Sequence, residues 1–201
     1  MDASDETIRF VIALGNPGRR YRRTRHNIGW MVATELLRRW SLGDGRAAFG
    51  GEVWDVRPVA HDLPRRVMLL EPHTFMNRSG EAVKGLVTFY KAELSDVLVV
   101  LDDMALPLGV LRARAEGSAG GHNGLKDIIA LLGSEQVPRL RIGIGAAPPQ
   151  MDPADYVLAT FADDEVETVN LGVGRAADAV EDWIRRDMRY VMDKYNRKAD
   201  A

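Results

Sequence analysis

Apolar residues recur along this chain in two rhythms. Short, dense runs rich in β-branched residues stand at IRFVIAL (8–14), AFGGEVWDV (48–56), VMLLEP (67–72), VLVVLDD (97–103), GVLRARA (109–115) and LRIGIGA (140–146). Their length and composition predict strands. VLVVL is apolar without alternation and ends in acids, the pattern of a central strand covered on both faces. Between these runs the spacing lengthens to the helical period. In 26–40, Met31, Val32, Leu36, Leu37 and Trp40 share a face. In 79–91, Val83, Leu86, Val87 and Tyr90 do so, behind a Ser79 placed to cap the helix. Segment 124–133 closes on Gly133, a residue free to take the left-handed conformation that ends helices. Residues 163–195 predict one or two long helices. The interleaving predicts one α/β domain over residues 1–201, a twisted mixed β-sheet flanked by helices, with residues 1–7 as a flexible N-terminal extension. No Gly/Ser linker or internal repeat divides the chain.

Composition narrows the classes. A chain of 201 residues can bury roughly 70% of its unfolded surface. Its hydrophobic share of 46% and charged share of 28% are those of a globular protein. The absence of cysteine excludes disulfides, thiolate metal sites and a cysteine nucleophile. The acidic N-terminus has no apolar core, and no run of about 18 apolar residues occurs, so neither a signal peptide nor a membrane span is expected and the setting read is cytoplasmic. A net charge of −2 speaks against a histone-like binder. Charge is nevertheless segregated: residues 19–25 hold five arginines, and residues 151–170 hold six acids with no Lys or Arg. Segregation permits a face that recognises phosphate on an acidic protein.

In such a sheet, functional groups gather where strands end. Four predicted ends are polar: Gly15-Asn16-Pro17-Gly18, His73 through Met76-Asn77, Asp102-Asp103, and Gly117 through His122-Asn123-Gly124. Their convergence would assemble a His, one or two Asp and three Asn around a cleft. A His beside a buried carboxylate makes a general base at neutral pH. Asn orients a carbonyl, a water or an oxyanion without adding charge. With no G-x-S-x-G string and no cysteine, such a pair points to direct attack by water; the competing reading is that His and Asp only cap loops. GSAGGHNGLK (117–126) reads as a phosphate-cradling loop opening a helix, though not Walker A, or simply as a tight turn. GVGRAA (172–177) fits G-x-G-x-x-A but follows no strand and falls in a predicted helix. The four His lack H-x-x-x-H spacing, so no metal is expected. Arg114 and Arg141, each on a strand beside a loop of interest, read as two guanidiniums gripping one phosphate or as ordinary surface arginines.

Five longer strings make the reading specific. LGNPGRRYRRTRHNIGW (14–30), PHTFMNRSGEAVKGL (72–86), VLVVLDDMALPLG (97–109), GSAGGHNGLKDII (117–129) and RLRIGIG (139–145) stand in the order and approximate spacing of bacterial-type peptidyl-tRNA hydrolases. MDPADYVLATF (151–161) resembles the segment that follows in that family. The resemblance runs from about Ile8 to the C-terminal helices. It implies a compact, metal- and cofactor-independent monomer with no obligate protein partner. Its substrate would be peptidyl-tRNA, held by the acceptor end. Cleavage of the ester to the 3′-terminal ribose would free the peptide and recycle the tRNA. Matched position by position, His26 is implied as catalytic base and Asp102 as its partner. Asn16, Asn77 and Asn123 are implied to hold the terminal nucleotide, the peptide backbone and the attacking water. Met76 is implied to line the cleft and Tyr21 to contact substrate. Gly120 and His122 fall in the loop bordering the cleft, and Arg114 and Arg141 where the family places basic residues for the tRNA 5′-phosphate. Some arginines of 19–25 would attract acceptor-stem phosphate or form a solvated turn; Arg78 is a further candidate contact.

Two positions depart from the family pattern. Ala105 stands where many relatives carry a second acid, so that either Asp103 substitutes for it or the acid is dispensable, and Asp193 stands where Asn is common. A rival reading is a non-catalytic scaffold like the chloroplast splicing factors related to this family, which would expose a large apolar patch. The N-terminus has no Ser-rich transit character. Fold analogy alone would also admit a nucleoside phosphorylase or aminopeptidase relative, against which stand the five strings and the missing metal ligands.

Overall fold

The structure, a computed structural model, describes residues 7–197, so all but the last residue of the expected N-terminal extension lies outside the described residues. In chain order the elements are β1 (Arg9–Ala13), α1 (Ile28–Arg39), β2 (Arg46–Ala48), β3 (Gly51–Val56), α2 (Pro58–His61), β4 (Val67–Pro72), α3 (Ser79–Tyr90), β5 (Val97–Asp103), β6 (Leu111–Arg114), α4 (Asn123–Leu132), β7 (Arg139–Gly143), α5 (Pro153–Leu158), α6 (Val166–Arg185) and α7 (Met188–Tyr195). The strands form one sheet in the order β2-β3-β4-β1-β5-β7-β6. β4, β1, β5 and β7 run parallel, while β2–β3, β3–β4 and β6–β7 pair antiparallel. This is the expected mixed sheet in a single α/β fold.

VLVVL is a central strand: β5 lies between β1 and β7, and its first six residues are buried. Alternation along β5 divides the core between two faces. Val97, Val99 and Leu101 pack with Val83 and Leu86 of α3 and Leu125 and Ile128 of α4. Leu98 and Val100 pack with Val32 and Leu36 of α1 and Val180 and Trp183 of α6. Helices thus cover both faces of the sheet. The start of α1 sits hard against it. A Cβ on Gly29 would fall 2.5 Å from the Leu14 carbonyl oxygen and 2.7 Å from that of Val100. Only glycine fits there, and its presence brings the residues just before α1 to the C-terminal ends of β1 and β5.

Several boundaries differ from the sequence reading. The run 48–56 is a turn and a strand, because Phe49 and Gly50 take positive φ (52° and 69°) and fold β2 back on β3. Ser79 does not cap α3; its hydroxyl donates to the Met76 carbonyl at 2.9 Å. Gly133 ends α4 in the left-handed conformation, as expected. The C-terminal helical stretch breaks at Arg186-Asp187, where the Asp187 carboxylate accepts from Tyr190 N and starts α7. GVGRAA lies wholly within α6 and builds no nucleotide-binding turn. At the sheet edge, Asn196 stands in for a neighbouring strand: its Oδ1 accepts from Ala113 N at 2.7 Å and its Nδ2 donates to Ala113 O at 2.9 Å. Asp193 is exposed and takes no part in that contact. Among the described residues no helix is long and apolar enough to cross a membrane.

Candidate active site

Asp102 continues the row Leu98–Val100 on the α1 face of β5, at the strand's polar end. A 3-10 turn, Arg25–Asn27, enters α1 directly above it. His26 Nδ1 lies 2.8 Å from Asp102 Oδ1. From the other side, His122 Nε2 lies 3.0 Å from the same oxygen. The two rings are tilted, with centroids 5.0 Å apart. His122 caps α4, its Nδ1 accepting from Leu125 N–H at 3.2 Å. That bond leaves the ring proton on His122 Nε2, which donates to Asp102. Asp102 is 3% exposed. Burial works to raise its carboxyl, yet His122 first and His26 second outweigh burial and hold it well below the usual carboxylate range. A carboxylate so held draws the His26 proton to Nδ1. His26 Nε2 is left with its lone pair, without a protein partner among the described residues, on a cavity of about 440 Å³.

The cavity gathers six of the expected residues: His26, Asp102, Gly120, His122, Asn123 and Arg141. The others sit elsewhere. Met76 is buried under Gly124, its sulfur 2.6 Å from where a Cβ would be; it props the first turn of α4 and does not line the cavity. Asn16 is 6% exposed, and its Oδ1 accepts from Met76 N at 2.9 Å, so only Nδ2 is open to a ligand. Asn77 is exposed just beyond that loop. Tyr21 belongs to a 3-10 turn, Arg19–Tyr21, with Arg20 over its ring. The two clamp arginines differ in their surroundings. Arg141 faces Arg112 in register and is ion-paired with Asp103, whereas Arg114, opposite Arg139, makes no ion pair among the described residues. Asp103 also accepts from Ala105 N at 2.8 Å, so its carboxylate closes a loop as well as pairing with Arg141.

Sequence reasoning missed four supports. Asn27 is fully buried; its Oδ1 accepts from Asn16 N at 2.9 Å and its Nδ2 donates to Asn16 O at 3.0 Å, fixing the Gly15–Gly18 turn. Its adjacency to His26 was the available signal. Arg139 is buried and donates to the carbonyls of Gly117, Ser118, Glu135 and Val137, stapling the loop before His122. Asp152, Pro153, Ala154 and Val157 bring α5 into the cavity wall. Arg25 holds that wall. It is 6% exposed; its guanidinium forks onto Glu165 at 3.1 and 2.6 Å and lies 4.4 Å from the Tyr156 ring and 4.8 Å from that of Phe161. Its backbone N–H donates to Ala159 O at 2.9 Å.

The ligand atoms of His26, Asp102 and His122 lie within 4.8 Å of one another, a spacing a metal ion can bridge. The Leu125 N–H on His122 Nδ1 argues for hydrogen bonding, because it makes Nε2 a donor and not a ligand.

Comparison with known proteins gives a consistent result. A family profile described as peptidyl-tRNA hydrolase matches residues 10–201. A peptidyl-tRNA hydrolase of Thermoanaerobacter sp. is 45% identical over 188 residues, 93% of this chain and 99% of the relative. One of Bacillus cereus is 40% identical over 189 residues, 94% of this chain and all of the relative. The crystal structure of peptidyl-tRNA hydrolase from Acinetobacter baumannii shares 29% identity and superposes with a TM-score of 0.85 over 97% of each chain.

Proposed function

This chain belongs to the peptidyl-tRNA hydrolase family, enzymes of the ester-hydrolase class, and from that premise we propose that His26 activates the water that cleaves the ester of peptidyl-tRNA. His26 Nε2 takes a proton from water as the oxygen attacks the ester carbonyl. The imidazolium that forms is stabilised by Asp102, which His122 keeps ionised. Asn123 and the amide N–H groups of the first turn of α4 meet the oxyanion. Collapse breaks the bond to the ribose 3′-oxygen, which takes the proton back from His26. Free peptide and intact tRNA leave. A general base contributes typically ~10²–10⁴-fold and an oxyanion donor about 10²–10³-fold. An ester needs less than an amide, so one base and a few donors suffice.

Selectivity for a blocked amino group follows from the one open donor on Asn16. Nδ2 can donate to the carbonyl of the first peptide bond, which an unblocked aminoacyl group lacks. Asn77 and Tyr21 sit where a longer peptide or the terminal nucleotide passes. Arg114, with Arg141, receives the 5′-phosphate, and Gly120 lets the loop approach the substrate backbone. The enzyme acts as a cytoplasmic monomer on the acceptor end, reading its shape and phosphates and not its base sequence.

The observation that carries this reading is the open Nε2 of His26, backed by a carboxylate with two donors. His26→Ala should lower hydrolysis of N-acetyl-aminoacyl-tRNA by ~10³-fold or more while circular dichroism stays that of the parent, both with chelator present. Turnover retained in that variant rejects the base assignment.

A further inference from the structure

Of the five arginines of residues 19–25, Arg20 lies 4.6 Å over the Tyr21 ring, and the other four divide into two kinds. Arg25 is buried on Glu165. Arg19, Arg22 and Arg23 are exposed, make no hydrogen bond or ion pair among the described residues, and line the mouth of a second cavity of about 940 Å³. This cavity shares no lining residue with the cleft of His26. The turn that bears them is fixed: Tyr21 N donates to Gly18 O at 3.0 Å, Thr24 N to Tyr21 O at 3.0 Å, and Thr24 Oγ1 to the same carbonyl at 2.8 Å. Three unpaired cations held on one rigid turn repel one another, and a partner anion relieves that repulsion.

We propose that Arg19, Arg22 and Arg23 form a second phosphate-binding rim that holds the backbone of the single-stranded 3′ end of the substrate RNA. The rim's cavity is walled by Glu52, Glu71 and His73 of the β3–β4 part of the sheet, whereas Arg141 and Arg114 stand on β7 and β6. The identity of the RNA rests on the function proposed above; the existence of the rim does not. Sheet order supports the placement. β7 and β6, with Arg141 and Arg114, lie on one side of β5, while the arginine turn follows β1 on the other. Cations therefore stand on both sides of β5, the strand that carries Asp102. The turn begins only three residues after Asn16. A guanidinium presents a planar fork that matches phosphate oxygens.

An acidic peptide is the alternative anion, and the cavity floor disfavours it. Glu52 and Glu71 face each other there across β3 and β4, and neither pairs with the arginines. Glu35, also on the wall, is engaged by Arg38 and Arg39. A carboxylate entering the cavity meets these acids. A phosphodiester outside the cavity needs only the arginines, which are exposed where Glu71 is buried and Glu52 half-buried.

The test compares the parent with R19A/R22A/R23A and with R19K/R22K/R23K. Affinity for uncharged tRNA, measured directly, reads the rim without any catalytic step, so a failed His26 assignment leaves this measurement intact. The alanine variant should bind on the order of tenfold more weakly, and the slope of log affinity against log salt should fall by about 2, at about 0.7 per single-strand phosphate lost. The lysine variant should recover most of the affinity. With N-acetyl-aminoacyl-adenosine, which has no phosphate, the alanine variant should turn over as the parent does. Unchanged affinity and slope would overturn the proposal. An equal loss on the adenosine ester would also overturn it, assigning the rim to the acyl group.

Discussion

Asp102 receives two imidazole donors on one oxygen, and the second was not visible in the sequence. His26 and Asp102 stand out as polar residues at the end of an apolar run and before a helix, and the family resemblance pairs them. His122 reads only as part of a loop, because its reach to Asp102 depends on its capping α4 and on Arg139 fixing the preceding carbonyls. The packing of Met76 under Gly124 is hidden for the converse reason: an apolar residue beside a polar loop gives no sign of which way it turns. The shared carboxylate has a measurable consequence. His122→Ala removes the donor that does most to keep Asp102 ionised, so burial raises the Asp102 carboxyl. The His26 imidazolium then loses part of its counter-charge. Steady-state kinetics should show kcat lower by about tenfold with KM little changed, a smaller loss than the ~10²–10⁴-fold expected for Asp102→Asn.

At the scale of elements, β4 and β5 were legible to the residue because strands covered on both faces are continuous apolar runs. The β2–β3 turn was hidden because Phe49, an apolar residue in a run of strand formers, adopts the left-handed region that glycine usually occupies. α5 was hidden because six residues, PADYVL, are too few to show a period; Asp152 caps it, accepting from Ala154 N, and tertiary contacts hold it. Arg25 supplies several of those contacts, joining the basic stretch after β1 to the acidic stretch before α6. Arg25→Met and Glu165→Gln should each loosen the same wall. Hydrogen exchange across 152–161 should quicken in both, and kcat/KM should fall about tenfold. Because the pair acts as one unit, the double variant should lose little more than either alone. Additive losses would show that the two side chains act separately.

Over the whole molecule, a mixed sheet flanked by helices follows from the pattern of apolar runs, whereas the order of its strands and the distribution of charge in space do not. Glu71 is the clearest case: a strand residue on paper, in fact 9% exposed and directly opposite Glu52. Burial first, and Glu52 second, push its carboxyl up to about 7. The folded protein then holds this proton more tightly than the unfolded chain. Stability therefore falls as pH rises from the ordinary glutamate range towards 7. Glu71→Gln should abolish that slope, adding roughly 1–3 kcal/mol at pH 8 and nothing near pH 4 in thermal unfolding across the range. The opposite margin of the sheet depends on a smaller device. A single amide side chain, Asn196, closes the outermost rung at Ala113 where a strand would otherwise dock. Fraying of the final helix by one turn withdraws it, and two molecules meeting at that margin could then knit their backbones together. At that rung, a pair of bonds made by one residue at the foot of the last helix occupies the backbone groups that a second molecule's strand would need.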